Sequence, residues 1–438
     1  MSTDYHELIE KAKSVLAGNW LGASTKPAPQ LYPHQWSWDS AFIAIGNAHD
    51  DQEKAQRELT SLFKGQWDNG LLPHIVFNPK AKDYFPGPTF WQTERSTHAR
   101  RDPQTSGIVQ PPIHASAVFR VYHHAKDKKR AAAFLEEMYP RLVAWHEYLY
   151  RERDPSQEGL VYIRHPWESG EDNSPVWDRS LKRIKLTKEM VPAYKRADTS
   201  IVSSKDRPSD EDYDRYAYLV KVFYDCDYDE ERIRRVCPFL IQDVLFNSIL
   251  AQANHDLASI ARLLGKNPTP HHDAARRTTE AMNAKLWNDA EGIYFDFDLV
   301  EGKQIESHVA SGFSPLFAMA PTAERAEEIM RLLDSRHFSR LDESSWTVPS
   351  YDREAPGYSP NRYWRGPIWI NINWLLFHGL RRYGYHDYAR RIRQSIIELP
   401  KTYGFYEYFD PEAGKGHGSD NFSWTAALLL DVLLEDAL

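Results

Sequence analysis

Two acid-bearing stretches stand far apart in this chain. "HPWESGEDNSPVW" (165–177) packs Glu168, Glu171 and Asp172 between two tryptophans, with a glycine and a proline. "FYEYFDPEAGKGHGSDNFSW" (405–424) holds Glu407 and Asp410 among tyrosines and phenylalanines. Surface loops favour acids and cores favour tryptophan, so short stretches rich in both call for an explanation. Breaking a glycosidic bond needs two carboxyls, one protonating the leaving oxygen and one serving as base or nucleophile. They sit across the sugar from each other, so distant chain segments supply them. The plain alternative is that the three acids of the first stretch cap a helix starting near Ser174. These residues by themselves leave open which of Glu168, Glu171 and Asp172 reacts. In the second stretch Glu407 and Asp410 compete in the same way, with Asp410, which precedes Pro411, looking like a turn residue.

Three more aromatic–polar motifs resemble these two: "YPHQWSWDS" (32–40), "GIVQPP" (107–112) and "NRYWRGPIW" (361–369). Each runs directly into an apolar segment, as "FSW" runs into "TAALLL". Those segments, which include "SAFIAIGNA", "IHASAVFRVY", "IQDVLFNSILAQA", "VASGFSPLFAMA", "GPIWININWLLFHGL" and "SWTAALLLDVLL", are small-residue-rich and apolar nearly all round. That is the pattern of fully buried helices. Alternating with them are amphipathic stretches such as "QEKAQRELTSLFK", "AERAEEIMRLL" and "DYARRIRQSIIEL", with apolar residues at i, i+3 and i+4. Wet and dry helices in alternation predict an all-α fold, a barrel of two concentric rings with about six helix pairs, making one domain over residues 1–438. If the inner helices run parallel, the aromatic–polar motifs meet at one mouth and form a concave, acid-lined pocket. Residues 67–111, rich in Pro, Gly and aromatics, and the charged residues 178–237 interrupt the rhythm. Both are expected to be irregular lid insertions at that mouth. "GIYFDFD" reads as a short hairpin on the rim.

Composition narrows the partners. The net charge is −8 with no basic stripe, which argues against nucleic acid. No apolar run is long enough to span a bilayer, and the N-terminus lacks a signal-like block, so a cytoplasmic protein is expected. Cys226 and Cys237 are too few for a disulfide framework and read as thiols. The 14 Trp and 24 Tyr cluster beside carboxylates and amides, a mixture suited to sugar faces and hydroxyls. "PHHDAARR" (270–277) reads as a helix start, and His123 and His124 as neighbours facing different ways, so neither metal nor cofactor is expected.

The motifs also carry a resemblance. "WESGEDNSPVWD" looks like the E-S-G-x-D-x-S segment shared by trehalases and glycoside hydrolase family 63, and "QWSWDSAF", "YWRGPIW" and "FSWTAAL" resemble the same families. They span Trp36 to Leu428, and the length is closest to the compact bacterial members acting on mannosylglycerate or glucosylglycerate. The resemblance implies an (α/α)6 barrel and an inverting mechanism. It makes Asp172 the general acid and Glu407 the base. Glu168 becomes a pocket residue that binds substrate or orders Asp172, and Glu171 a variable, solvent-facing one. Tyr32, Trp36, Trp38, Asp39, Tyr84 and Gln110 are implied sugar-site residues, with Tyr363, Trp364 and Trp369 as pocket walls. Arg207 and Tyr213 resemble lid residues that hold a glycerate carboxylate, against the plain alternative of a solvated loop arginine. Physically, the tryptophans beside Asp172 would raise its pKa by desolvation, and the tyrosines beside Glu407 could stabilise its charge. Trp374 and Trp424, deeper in their helices, read as core. The expected partner is a small sugar, an anionic glycosyl-glycerate foremost, and the chain could form a homo-oligomer. Competing readings are a trehalase-like enzyme on a neutral disaccharide, a sugar epimerase, which would need paired histidines, and a non-catalytic sugar-binding protein.

Overall fold

Helices with no wet face must be surrounded by protein, and a ring of them does this most economically. α2 (Ser37–Asn47) is buried at every position, and α16 (Ser423–Leu434) at every position but the last. The computed structural model describes residues 3–81, 84–196, 198, 206–339 and 346–435. In it α2 packs beside α5 (His114–His124), α5 beside α11 (Val244–Leu263), and α11 beside a 3-10 segment, Ala310–Leu316. That segment packs on α14 (Ile370–Arg382), α14 on α16, and α16 on α2, which closes a ring of six. Amphipathic helices form the outer layer. α1 (Thr3–Asn19) covers α16, α3 (Gln52–Phe63) covers α2, and α6 (Lys128–Glu152) covers α5. α12 (Thr269–Ala281) covers α11, α13 (Ala323–Leu333) follows the 3-10 segment, and α15 (His386–Tyr403) covers α14. The fold is an (α/α)6 barrel.

The seam between the first and last inner helices is very tight. A Cβ on Gly46 would lie 2.4 Å from the Cα of Ala427, so only glycine lets these backbones approach.

Two expectations need correction. "VASGFSPLFAMA" forms a 3-10 segment in place of an α-helix. Pro315 removes a helical N–H, and a Cβ on Gly312 would stand 2.8 Å from the Tyr294 carbonyl oxygen, so the chain hugs its neighbour in a tighter coil. Residues 178–237 are also more ordered than their charge suggested; residues 197 and 199–205 lie outside the described set. They contain α8 (Asp178–Lys182), α9 (Asp210–Asp225) and α10 (Glu230–Val236). α9 starts with a reciprocal Ser209–Asp212 capping box and buries Tyr213, Tyr216, Val220 and Phe223. Its acids masked that i, i+3, i+7 and i+10 stripe. Residues 67–111 are largely irregular as expected, with α4 (Pro88–Trp91), one 3-10 turn and the two-residue strand Ile75–Val76 among their described residues.

Short strands tie the loops to the rim. Gln35–Trp36 pairs antiparallel with Ile75–Val76, and Trp287–Asn288 with Ile293–Tyr294, the expected hairpin. α7 (Pro166–Ser169) is a single turn inside the first acid-bearing stretch. Among the described residues no helix is long and apolar enough to cross a membrane.

Candidate active site

The N-terminal ends of the inner helices meet at one mouth. Trp36, Trp38 and Asp39 open α2, Gln110 precedes α5, Trp369 precedes α14, and Phe422 and Trp424 begin α16. With Pro27, Tyr32, Gly170, Asp172, Tyr363 and Glu407 they line a cavity of about 60 Å³. A second cavity of about 60 Å³ adjoins it, lined by Tyr32, Trp36, His74, Tyr84, Phe85, Pro86, Gln110, Trp167, Asp172, Arg207, Tyr213 and Tyr363. Asp172 borders both cavities, whereas Glu407 borders only the first.

The segment carrying Asp172 is fixed from several sides. The Nδ1 of His165 caps α7 by accepting from the Trp167 N–H at 3.0 Å. Gly170 then turns at φ +76, and a Cβ there would lie 2.5 Å from the Trp38 indole. The positive φ and the close ring both require glycine. Tyr216 of α9 donates to the Asp172 carbonyl at 2.6 Å. Asn173 accepts the Trp364 backbone N–H at 3.0 Å, which joins the segment to the loop before α14. Burial, against the pull of the Arg207 guanidinium and with a push from Glu407, raises the Asp172 carboxyl to about 7. It therefore keeps a proton well above the ordinary carboxylate range.

Glu407 is held differently. Tyr32 donates to its Oε1 at 2.7 Å, the Ser419 N–H to its Oε2 at 3.1 Å, and Arg207 stands 3.8 Å from Oε1. Burial raises its pKa, while Arg207 and the Tyr32 hydrogen bond work against that rise. Asp39 is also buried, and burial together with Glu407 pushes its carboxyl well above its usual range. Asp410 accepts the backbone N–H groups of Glu412 and Ala413, the expected turn role.

Arg207 is only 5% exposed, so it is not a solvated loop residue. Its guanidinium lies 4.3 Å over the Tyr363 ring, donates twice to the Tyr32 hydroxyl at 3.2 Å, and reaches Asp198 at 3.4 Å. Tyr213 donates to the same Asp198 at 3.1 Å.

Most of the expected site residues therefore surround one or other cavity; four readings change. Glu168 does not line either cavity. It is wholly buried, with Arg153 donating to both its oxygens at 3.0 Å and the Arg164 and Val109 N–H groups at 2.7 and 3.2 Å. Burial would raise its pKa, but Arg153 and Arg164 outweigh that and hold it low. It anchors α7 from behind. Trp364 likewise stands behind the wall, stacked on Trp369 with centroids 3.8 Å apart. Trp424 lines the first cavity, while Trp374 is core as expected. Pro27, Phe422, His74, Phe85, Pro86 and Asp198 escaped sequence reading. Phe422 could have been found, since it directly precedes an inner helix as Trp36 and Trp369 do.

The largest correction concerns Glu171, which was expected to face solvent. It is 3% exposed and hydrogen-bonds Ser311 of the inner 3-10 segment. Burial, with Asp296 nearby, raises it to about 8. A carboxyl whose native pKa exceeds its unfolded value stabilises the fold at low pH and loses that contribution as pH rises through the native pKa. Glu171→Gln is therefore expected to melt near the parent temperature at pH 5 and a few degrees above it at pH 9. Equal melting shifts at both pH values would mean that Glu171 is not held protonated.

The mannosylglycerate hydrolase MGH1-like glycoside hydrolase domain family matches residues 32–425. The chain is 55% identical to a mannosylglycerate hydrolase of Rubrobacter radiotolerans over 429 residues, 98% of this chain and 97% of that one. It is 37% identical to a glucosylglycerate hydrolase of Mycolicibacterium hassiacum, covering 98% of each. The crystal structure of a family 63 mannosylglycerate hydrolase from Thermus thermophilus with Tris and D-glycerate superposes with a TM-score of 0.90 at 43% identity, covering 97% of this chain and 99% of that one. With a matched span that runs from Tyr32 of the site to Thr425, just past Trp424, the chain belongs to the MGH1-like glycoside hydrolases.

Proposed function

We propose that this glycoside hydrolase cleaves an α-glycosyl-glycerate, mannosylglycerate or glucosylglycerate, with inversion at the anomeric carbon. The observation that carries the reading is the placing of the two acids. Asp172 lies at the junction of the cavities, where a proton donor must meet the bond between sugar and leaving group. Glu407 lies on the first cavity alone, which is the one that would hold the sugar. Asp172 gives its proton to the glycosidic oxygen as the C1–O bond breaks. A water attacks C1 from the opposite face, and Glu407 takes that water's proton. Tyr32 and Arg207 keep Glu407 ionised enough to accept it, and Asp172 regains its proton from solvent. The second cavity suits an anion, since Arg207 borders it among aromatic rings, and Asp172, the carboxyl in its lining, is raised to about 7 by burial and so tends to carry a proton. The relatives named above act on mannosylglycerate and glucosylglycerate, which fits a glycerate in that cavity.

The test is incubation with α-mannosylglycerate, α-glucosylglycerate and trehalose, followed by proton NMR. Glycerate and the β-anomer of the sugar are expected as first products, with trehalose a poor substrate. First appearance of the α-anomer would overturn inversion, and a preference for trehalose would overturn the glycerate reading.

A further inference from the structure

The other end of the barrel, where the inner helices finish, carries imidazoles and a carboxylate that the chemistry above does not use. His49 lies just past the C-terminus of α2, His124 is the last residue of α5, and Asp431 sits in the last turn of α16. These three helices are neighbours in the ring. One nitrogen from each histidine and one Asp431 oxygen lie within 4.8 Å of one another. The Nε2 of His49 is 2.8 Å from the Asp431 Oδ1, and the two imidazole centroids are 4.0 Å apart.

The carboxylate is oriented from behind. Its Oδ2 accepts from the Trp374 Nε1 at 2.8 Å and from Arg120 at 3.3 Å, with His378 standing 3.7 Å away on that side. Oδ1 is left directed at the two imidazoles. Metal-binding carboxylates are commonly fixed in this way by hydrogen bonds to the oxygen turned away from the ion. Asp431 is fully buried and the His49 side chain only 5% exposed, but His124 is partly exposed, which gives an ion a path in and a position for water.

We propose that His49, His124 and Asp431 form a site for one divalent transition-metal ion, zinc foremost, at the barrel end opposite the catalytic cavities. Two imidazole nitrogens and one carboxylate oxygen with a fourth position for water is a zinc-like set, whereas calcium and magnesium prefer all-oxygen sites. The ion would take the place of the proton shared by His49 and Asp431. Arg120 opposes an added cation, but Glu435 draws it away at 3.5 Å, and the carbonyl ends of three helices contribute negative potential. The ion would fasten the first, second and last members of the ring. Asp39 and His49 are ten residues apart along α2, about 15 Å of helix, so the role is structural.

The experiment uses untagged, chelator-treated enzyme titrated with zinc chloride by calorimetry. One zinc per chain is expected, with a melting temperature that rises on saturation. His49→Ala and His124→Ala should each weaken binding tenfold or more, and His378→Ala, which removes a group from the Oδ2 side, should change it less than threefold. X-ray absorption of the zinc-loaded parent should show nitrogen and oxygen ligands including two imidazoles, a reading that holds even if a variant folds poorly. Absence of zinc binding, binding untouched by His124→Ala, loss with His378→Ala alone, or a sulfur shell from the cysteines would each overturn the proposal.

Discussion

Asp172→Asn is expected to lower kcat by about 10²–10⁴-fold, the usual worth of one positioned acid–base group, while leaving the melting temperature near that of the parent. Glu407→Gln should do the same. The pH dependence identifies which group is which. The acid must carry its proton, so the parent's kcat/KM should fall as pH rises through about 7, where burial places Asp172. Asparagine cannot titrate, so the residual activity of Asp172→Asn should lose that alkaline limb and keep the acid one. Glu407→Gln should lose the acid limb, because the parent needs Glu407 ionised and its activity drops as the pH falls toward that raised pKa. If Asp172→Asn stays active while Glu171→Gln is dead, the proton donor has been assigned to the wrong neighbour.

Arg207→Ala carries the second large effect, in two parts. Arg207 stands 3.8 Å from Glu407 and bonds Tyr32, which itself bonds Glu407, so its loss should slow every substrate through the base. A glycerate carboxylate would lose its charged partner as well, and breaking such a buried pair costs about 2–5 kcal/mol. The expected result is a preference for glycosyl-glycerate over the analogue reduced to the alcohol that collapses by roughly 30-fold to several-thousand-fold. Parallel kcat/KM measurements on both compounds give that ratio directly. A ratio that survives while both rates fall would assign Arg207 to the base alone and remove the anion from the second cavity.

The fold was legible because its two helix types differ in kind. α16 is apolar on every side and α15 on one, and no neighbour is needed to see it. The site was legible where a motif runs straight into an inner helix, as with Trp36, Asp39 and Trp369. What stayed hidden was which way a polar side chain faces. Glu171 and Glu168 look alike in sequence, yet both are buried, one on a serine and one between arginines. Those partners come from the inner 3-10 segment at Ser311 and from Arg153, 15 residues upstream of Glu168. α9 was hidden for a related reason, since charge on its wet face outnumbered the aromatic stripe beneath. His124 was set aside because its chain neighbour, His123, points elsewhere. Its relevant neighbours, His49 and Asp431, become visible only when the ring closes.

That closure has a consequence for how the enzyme comes into being on the ribosome. The hydroxyl of Tyr32 meets Glu407 across 375 residues of chain, and Asn19 binds Ser423 across 404. The first inner helix is synthesised with no partner for the seam at Gly46, and its apolar surface must wait for Ala427. Contacts of such span form slowly, and the unfinished barrel offers a greasy open edge in the meantime. A nascent chain stalled before α16 would thus carry Asp172, α9 and the tryptophans that open α2 and still lack a closed ring, and it would be a natural client for chaperones. Catalytic competence and ring closure arrive in the same step, once α16 has been made.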